Sequence, residues 1–217
     1  MASKKSNPNL PSPYKDAAAN KIYNMLFCDN LGLYKQDKKK KDIYPWDILL
    51  ADSGSTKDLQ KIIKDKSTES RMKILAYHKL NESGQNMETK DLLGVIVEVG
   101  LDEGLDVVAS YRDGTARYIN YTGKIVIWEA TDENSNEITN ALFQSSENIV
   151  KHIGPWDKAR LPAPATGNVR ISFLVSDALY FGEGPMNALF SDALAGPALN
   201  SALALMQYIT EKALESE

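Results

Sequence analysis

The chain has 217 residues, 43% hydrophobic, 25% charged and 8% aromatic, with a formal net charge of -4. These proportions belong to a globular protein and exclude collagen-like, low-complexity and wholly disordered chains. A single cysteine, Cys28, excludes an internal disulfide, and the opening Met-Ala-Ser-Lys-Lys-Ser-Asn-Pro lacks the apolar stretch of a secretory leader, so the expected compartment is the cytoplasm.

Residues 1–11 are polar, carry Pro8 and Pro11, and read as a disordered tail. Ser12-Pro13 offers a helix start, after which Ala18, Ile22, Met25 and Leu26 share one side and Gly32 offers a stop. The tetralysine Lys38–Lys41 reads as a solvated loop, and the apolar stretch from Ile43 to Leu50 as a docking turn. Ser55 with Asp58 opens a helix with Leu59, Ile62 and Ile63 inward and Lys57, Lys61 and Lys64 outward. A second helix is predicted from Ser67 or Thr68 to Gly84, burying Met72, Leu75, Ala76 and Leu80. Residues 12–90 thus form an N-terminal helical segment.

From Asp91 the pattern changes to runs rich in Val, Ile and Tyr at 92–100, 105–111, 115–121 and 124–129, separated by short loops containing Gly104, Gly114 and Gly123. They predict a four-stranded antiparallel meander. Asn136 is the expected cap of a helix reaching His152. Alternation at Val169, Ile171, Phe173 and Val175 predicts a fifth strand, and residues 178–182 a sixth, closing a C-terminal hairpin. Gly182-Glu183-Gly184-Pro185 reads as a loop, followed by a helix through Met186, Leu189 and Phe190 and a last helix after Gly196-Pro197. The uncharged run Ala193–Thr210 is interrupted by that Gly-Pro pair and diluted by Asn200, Ser201 and Gln207, so no membrane span is expected. The fold class is α+β: an antiparallel sheet packed with helices, with 91–217 as the α+β domain and 12–90 either separate from it or continuous with it.

Two-residue loops at Asp113-Gly114 and Thr122-Gly123 would set Ser110 opposite Arg117 and Arg117 opposite Trp128. A three-residue loop at 102–104 would add Val95, Val97 and Val99 to a core face made of Leu105, Val107, Ala109, Tyr111, Ala116, Tyr118, Ile125 and Ile127. The other face would be mixed, holding Glu98, Val108, Ser110, Ile119 and Val126 beside a candidate binding row of Arg112, Arg117, Tyr121 and Trp128, with Arg117 lying over Trp128. Such a row suits an anionic group, an aromatic ring or a partner's side chain. The competing expectation is that the N-terminal helices cover this face, because its aliphatic residues need burial.

No chemistry stands out by motif. His78, His152 and Cys28 are too scattered to hold a metal, and Asp102-Glu103-Asp106 lacks the spacing of a calcium loop. Neither a nucleophile elbow nor a phosphate or dinucleotide loop is present, so no cofactor is expected. Asp113, Glu129, Asp177 and Glu183 could converge in space for acid–base work, but spacing alone does not bring them together. The leading expectation is a non-catalytic binding or interaction module, with a protein partner or a second copy of the chain. An enzyme with a small-molecule site at Arg112, Arg117, Tyr121 and Trp128 is the alternative. Residues 1–90 are net basic and 91–217 net acidic, so nucleic-acid binding through Lys57, Lys61, Lys64 and the tetralysine is a further alternative; a pI near 5.4 weighs against it.

Overall fold

The computed structural model describes residues 10–35, 42–51, 55–85 and 89–215. The tetralysine and nearly all of the expected tail lie outside the described residues. Two helices of the first half open where a local side chain caps free amides. Asp16 accepts from the Ala19 amide at 2.7 Å and opens α1 (Ala17–Leu26), four residues beyond the expected Ser12. A short turn α2 (Trp46–Leu49) leads to α3 (Thr56–Lys64), which Ser55 caps through the Asp58 amide as expected. Helix α4 spans Ser70–Glu82 and has no cap of its own. Its first amide donates instead to Asp113 Oδ2 at 2.6 Å, and the Asp113 amide donates back to Ser70 Oγ at 3.1 Å. A turn distant in sequence thereby closes this helix end, which no local pattern announces.

The sheet is six-stranded and antiparallel, in the order β4-β3-β2-β1-β5-β6. It consists of the meander β1 (Leu92–Leu101), β2 (Gly104–Tyr111), β3 (Ala116–Ile119) and β4 (Ile125–Trp128), with the hairpin β5 (Asn168–Val175) and β6 (Leu179–Pro185) paired onto β1. Strand β6 runs past the expected end at Gly182. Gly182, Glu183 and Gly184 pair with Ile171, Arg170 and Val169, so the presumed loop is an edge strand, where Pro185 costs no ladder bond. Helix α5 (Glu133–Val150) starts earlier than Asn136, because Asp132 and Ser135 satisfy each other's amides. After α6 (Met186–Ser191), helix α7 (Ala195–Glu215) starts at the Asp192 cap, with Pro197 inside its first turn.

All three hairpins of the meander differ by one residue from the expected register. Tyr111 bonds to Thr115 and Asn120 to Lys124, so each loop has three residues and ends on a glycine, Gly114 or Gly123, at φ 87. Asp113 Oδ1 and Asn120 Oδ1 hold these wider loops by accepting from the Thr115 amide and from the Thr122 and Lys124 amides. The first hairpin is tighter than expected, with Leu101 opposite Gly104. Since neighbouring side chains point to opposite faces, each slip exchanges the two faces. Arg117 pairs with Ala109 and Ile127, not with Ser110 and Trp128, and Val99 pairs with Asp106.

Two packed layers result. Helices α1 and α4 cover one face, where Ile96, Leu105, Val107, Ala109, Tyr111 and Ile119 join Tyr23, Leu26, Leu75 and Leu80. Helices α5 and α7 cover the other, where Val95, Val97, Ala116, Ile171 and Phe173 meet Leu142, Phe143, Leu199 and Leu205. The polar members Glu98 and Arg117 lie on the face covered by the N-terminal helices, and both are buried. No described helix is long and apolar enough to cross a membrane.

Asp113 serves both its own turn and α4, so Asp113→Ala should cost about 1–2 kcal/mol, the usual range for a lost helix cap. Urea unfolding followed by circular dichroism checks this, and a variant as stable as the parent would show that the cross-chain cap is idle.

Candidate functional site

The structure disperses the four residues of the candidate binding row. Arg112 follows Tyr111 at one end of β2, its guanidinium 4.3 Å above the Phe143 ring and ion-paired with Glu147 of α5. Tyr121 sits beside Gly104 at the other end of β2, 42% exposed, its amide donating to Asp106 Oδ1 at 2.7 Å. Arg117 and Trp128 are on opposite faces of the sheet. Arg117 is buried and donates to the Ala116 and Trp128 carbonyls and to Glu129 Oε1 at 2.6 Å, while Trp128 packs edge-on to Tyr208 of α7 at 5.9 Å. The expected stacking of Arg117 on Trp128 does not form, because the one-residue slip in β3–β4 separates them.

The four carboxylates considered for acid–base work are separate as well. Asp113 caps α4, Glu129 pairs with Arg117, Glu183 pairs with Arg170 at 2.6 Å, and Asp177 accepts from the Tyr180 hydroxyl. Burial pushes the Cys28 thiol up to about 12, so at neutral pH it stays protonated and a poor nucleophile. Among the described residues no group of three or more His, Cys, Asp or Glu side chains could hold a metal ion. Lys57, Lys61 and Lys64 are exposed on α3.

Two features stand out in their place. The first is a polar core on the face under α1. Glu98 of β1 is fully buried, accepts a 2.6 Å hydrogen bond from the Tyr23 hydroxyl and lies 3.5 Å from the Arg170 guanidinium. Burial raises the Glu98 carboxyl above its ordinary range, against the lowering influence of Tyr23, Arg170 and Arg160. The expected face joined it to Val108, Ser110 and Trp128, whereas the slipped first hairpin sets it opposite Val107, and its partners, from α1, β5 and the chain before β5, were not legible in the sequence.

The second feature is a pocket of about 430 Å³ on the opposite face, where the sheet extends beyond the α5–α7 pair. Val97, Val99 and Val108 form its floor, and Phe190, Leu199 and Met206 of α6 and α7 its roof. Met186 and Leu203 stand at its mouth, 37% and 39% exposed. Asp106 is its only ionisable carboxylate, and both its oxygens are engaged, Oδ2 by the Tyr118 hydroxyl at 2.8 Å and Oδ1 by the Tyr121 amide. Of the four expected residues only Tyr121 approaches this pocket, through Asp106. The signal available in the sequence was the surplus of apolar residues at Met186, Phe190, Leu203 and Met206.

No protein-family model, no curated protein and no solved structure matches the chain. The class it defines is therefore drawn from its own architecture: an α+β protein whose antiparallel sheet carries helices on both faces.

Trp128 is part of the apolar layer under α7, so Trp128→Ala should lower stability by about 3 kcal/mol, as loss of a packed ring does. A melting temperature unchanged by the substitution, measured by calorimetry, would instead make the ring dispensable to the fold. Glu98 gives a pH signature. Its folded-state pKa is raised, so the native protein holds this proton after the unfolded chain has released it, and stability falls as pH rises through that value. In Glu98→Gln this fall is absent, so its melting temperature should climb relative to the parent as pH rises above the ordinary glutamate range of about pH 4. Parallel melting curves across that range would contradict the assignment.

Proposed function

We propose that the chain is a non-catalytic binding protein for a small apolar molecule, held between the sheet and helices α6 and α7. The observation that carries this reading is the preformed pocket of about 430 Å³, apolar on floor and roof and open at Met186 and Leu203. Ligand sites are typically concave, largely apolar and of about 300–1,000 Å³. Asp106 is held through both oxygens and no second carboxylate lines the pocket among the described residues, which supports binding over acid–base chemistry by a carboxylate pair. The Asp106 carboxylate disfavours an anionic head group there, so the ligand is neutral or cationic with an apolar body. Met186 and Met206 supply flexible, polarisable walls that adapt to its shape. The geometry offers no comparable support for a site at Arg112, Arg117, Tyr121 and Trp128, which share no cavity.

A neutral dye tests the reading. Nile red should bind saturably with a blue-shifted emission, whereas an anionic naphthalene sulfonate should bind more weakly. Leu203→Asp sets a charge at the mouth of the pocket on a partly exposed helix position. It should weaken Nile red binding by about ten-fold or more while leaving the melting temperature unchanged. No saturable response in the parent, or an equal response in Leu203→Asp, would overturn the proposal.

A further inference from the structure

Among the described residues the apolar pocket between the sheet and helices α6 and α7 is lined by a single charged side chain, Asp106. Asp106 of β2 lies opposite Val99 of β1, so the two share a side of the sheet and the aspartate continues the floor made by Val97, Val99 and Val108. It is partly buried. Among the described residues no ion pair includes it, and no Lys, Arg or His lines the pocket. Lys124, exposed just before β4, is not paired with it either. The turn into β2 adds Asp102 and Glu103, both exposed, at the same end of the strand. The local field is therefore negative, with no positive side chain in the lining to offset it.

The hydrogen bonds that Asp106 does receive come from neutral donors. Oδ2 accepts from the Tyr118 hydroxyl at 2.8 Å and Oδ1 from the Tyr121 amide at 2.7 Å. Burial and the neighbouring carboxylate push the Tyr118 hydroxyl up, so it stays protonated and remains a donor. A carboxylate offers about four acceptor sites, so these two bonds leave capacity on both oxygens. An apolar ligand that fills the pocket displaces water from the carboxylate and returns nothing to it. An alcohol returns one neutral hydrogen bond. A protonated amine returns N–H donors together with the missing charge, and such charge-assisted bonds are about twice as strong as neutral ones. A carboxylate or sulfonate head would be repelled by Asp106, Asp102 and Glu103. A bare metal ion would find one carboxylate, and the described residues contain no cluster of three ligands.

We propose that the ligand of this pocket is a cationic amphiphile, an apolar chain or ring that ends in a protonated amine paired with Asp106; this assignment rests on the pocket being a ligand site, as argued above. The apolar body lies against Val97, Val99, Phe190 and Met206, and the amine supplies the counter-charge that the protein itself does not place beside Asp106.

The test is competition against Nile red on the full chain at neutral pH, with octylamine, octan-1-ol, N-octylacetamide and octanoate, which share one alkyl chain and differ in the head group. Octylamine should displace the dye at about ten-fold lower concentration than octan-1-ol, and octanoate should be the weakest of the four. N-octylacetamide keeps an N–H and lacks the charge, so it should rank with the alcohol. Asp106→Asn keeps an oxygen for the Tyr121 amide and removes the charge; in it the preference for octylamine over octan-1-ol should shrink to near parity. Three results overturn the proposal while leaving the apolar pocket in place: octylamine no better than octan-1-ol or N-octylacetamide in the parent, octanoate the best competitor, or an undiminished amine preference in folded Asp106→Asn. The comparison with N-octylacetamide decides the matter in the parent alone, whether or not the variant folds. Absence of any saturable Nile red response overturns the pocket itself and this assignment with it.

Discussion

The structure depends on a sheet buried on both of its faces. Strand β1 lies between β2 and β5 and sends Ile96 and Glu98 to one side and Val95 and Val97 to the other, all buried. An antiparallel sheet with one wet face would show polar residues on alternate positions, whereas this central strand is apolar on both parities. Its two faces therefore need two helical covers, and residues 12–90 supply one of them. The N-terminal helices complete the core. Two tyrosines anchor them: Tyr111 of β2 donates to the Leu26 carbonyl at 2.8 Å, and Tyr23 of α1 donates to Glu98 at 2.6 Å.

Charge is handled differently inside the layers and on the surface. Buried Glu98 and Arg117 come with partners from neighbouring elements, because an unpaired charge at such depth costs several kcal/mol. Between the basic first half and the acidic second half lie loose contacts, Arg71 with Glu129 at 4.0 Å and Lys90 with Asp177 at 3.8 Å, beside a close pair of reversed sense, Asp29 with Arg160. Pairs of that kind contribute at most about 1 kcal/mol each, so the polarised charge does not hold the layers together. Apolar burial does.

Two cavities follow from this layering. One arises where α6 and α7 leave part of the sheet uncovered, and its walls are the apolar residues that would otherwise be core. The other, a cleft of about 760 Å³, arises where the chain before β5 folds back over α1 and α4, and its walls mix apolar Phe27, Trp156 and Leu179 with polar Asp29, Arg160 and Asp177. One chain can hold both because a buried sheet separates them.

Periodicity and punctuation in the sequence determined the elements, since these are local consequences of burial and turn chemistry. The run of Val, Ile and Tyr from Leu92 marked the meander, Ser55 marked α3, and the alternation from Val169 marked β5. The α+β class was legible in the same way, whereas the expected face joining Glu98 and Arg117 to Val108, Ser110 and Trp128 was not: they lie opposite Val107 and Ala109 instead. What only the tertiary structure decided was register and neighbourhood. Whether Asp-Gly closes a two- or three-residue loop depends on the bonds that Asp113 and Asn120 make in the folded hairpins, and one residue is enough to put Trp128 and Arg117 on opposite sides. The company of Glu98 with Tyr23, Arg170 and Arg160 was equally out of reach. Their meeting needs α1, β1, β5 and the chain between α5 and β5 to be placed first, and contacts across such separations leave no periodic trace in a single chain.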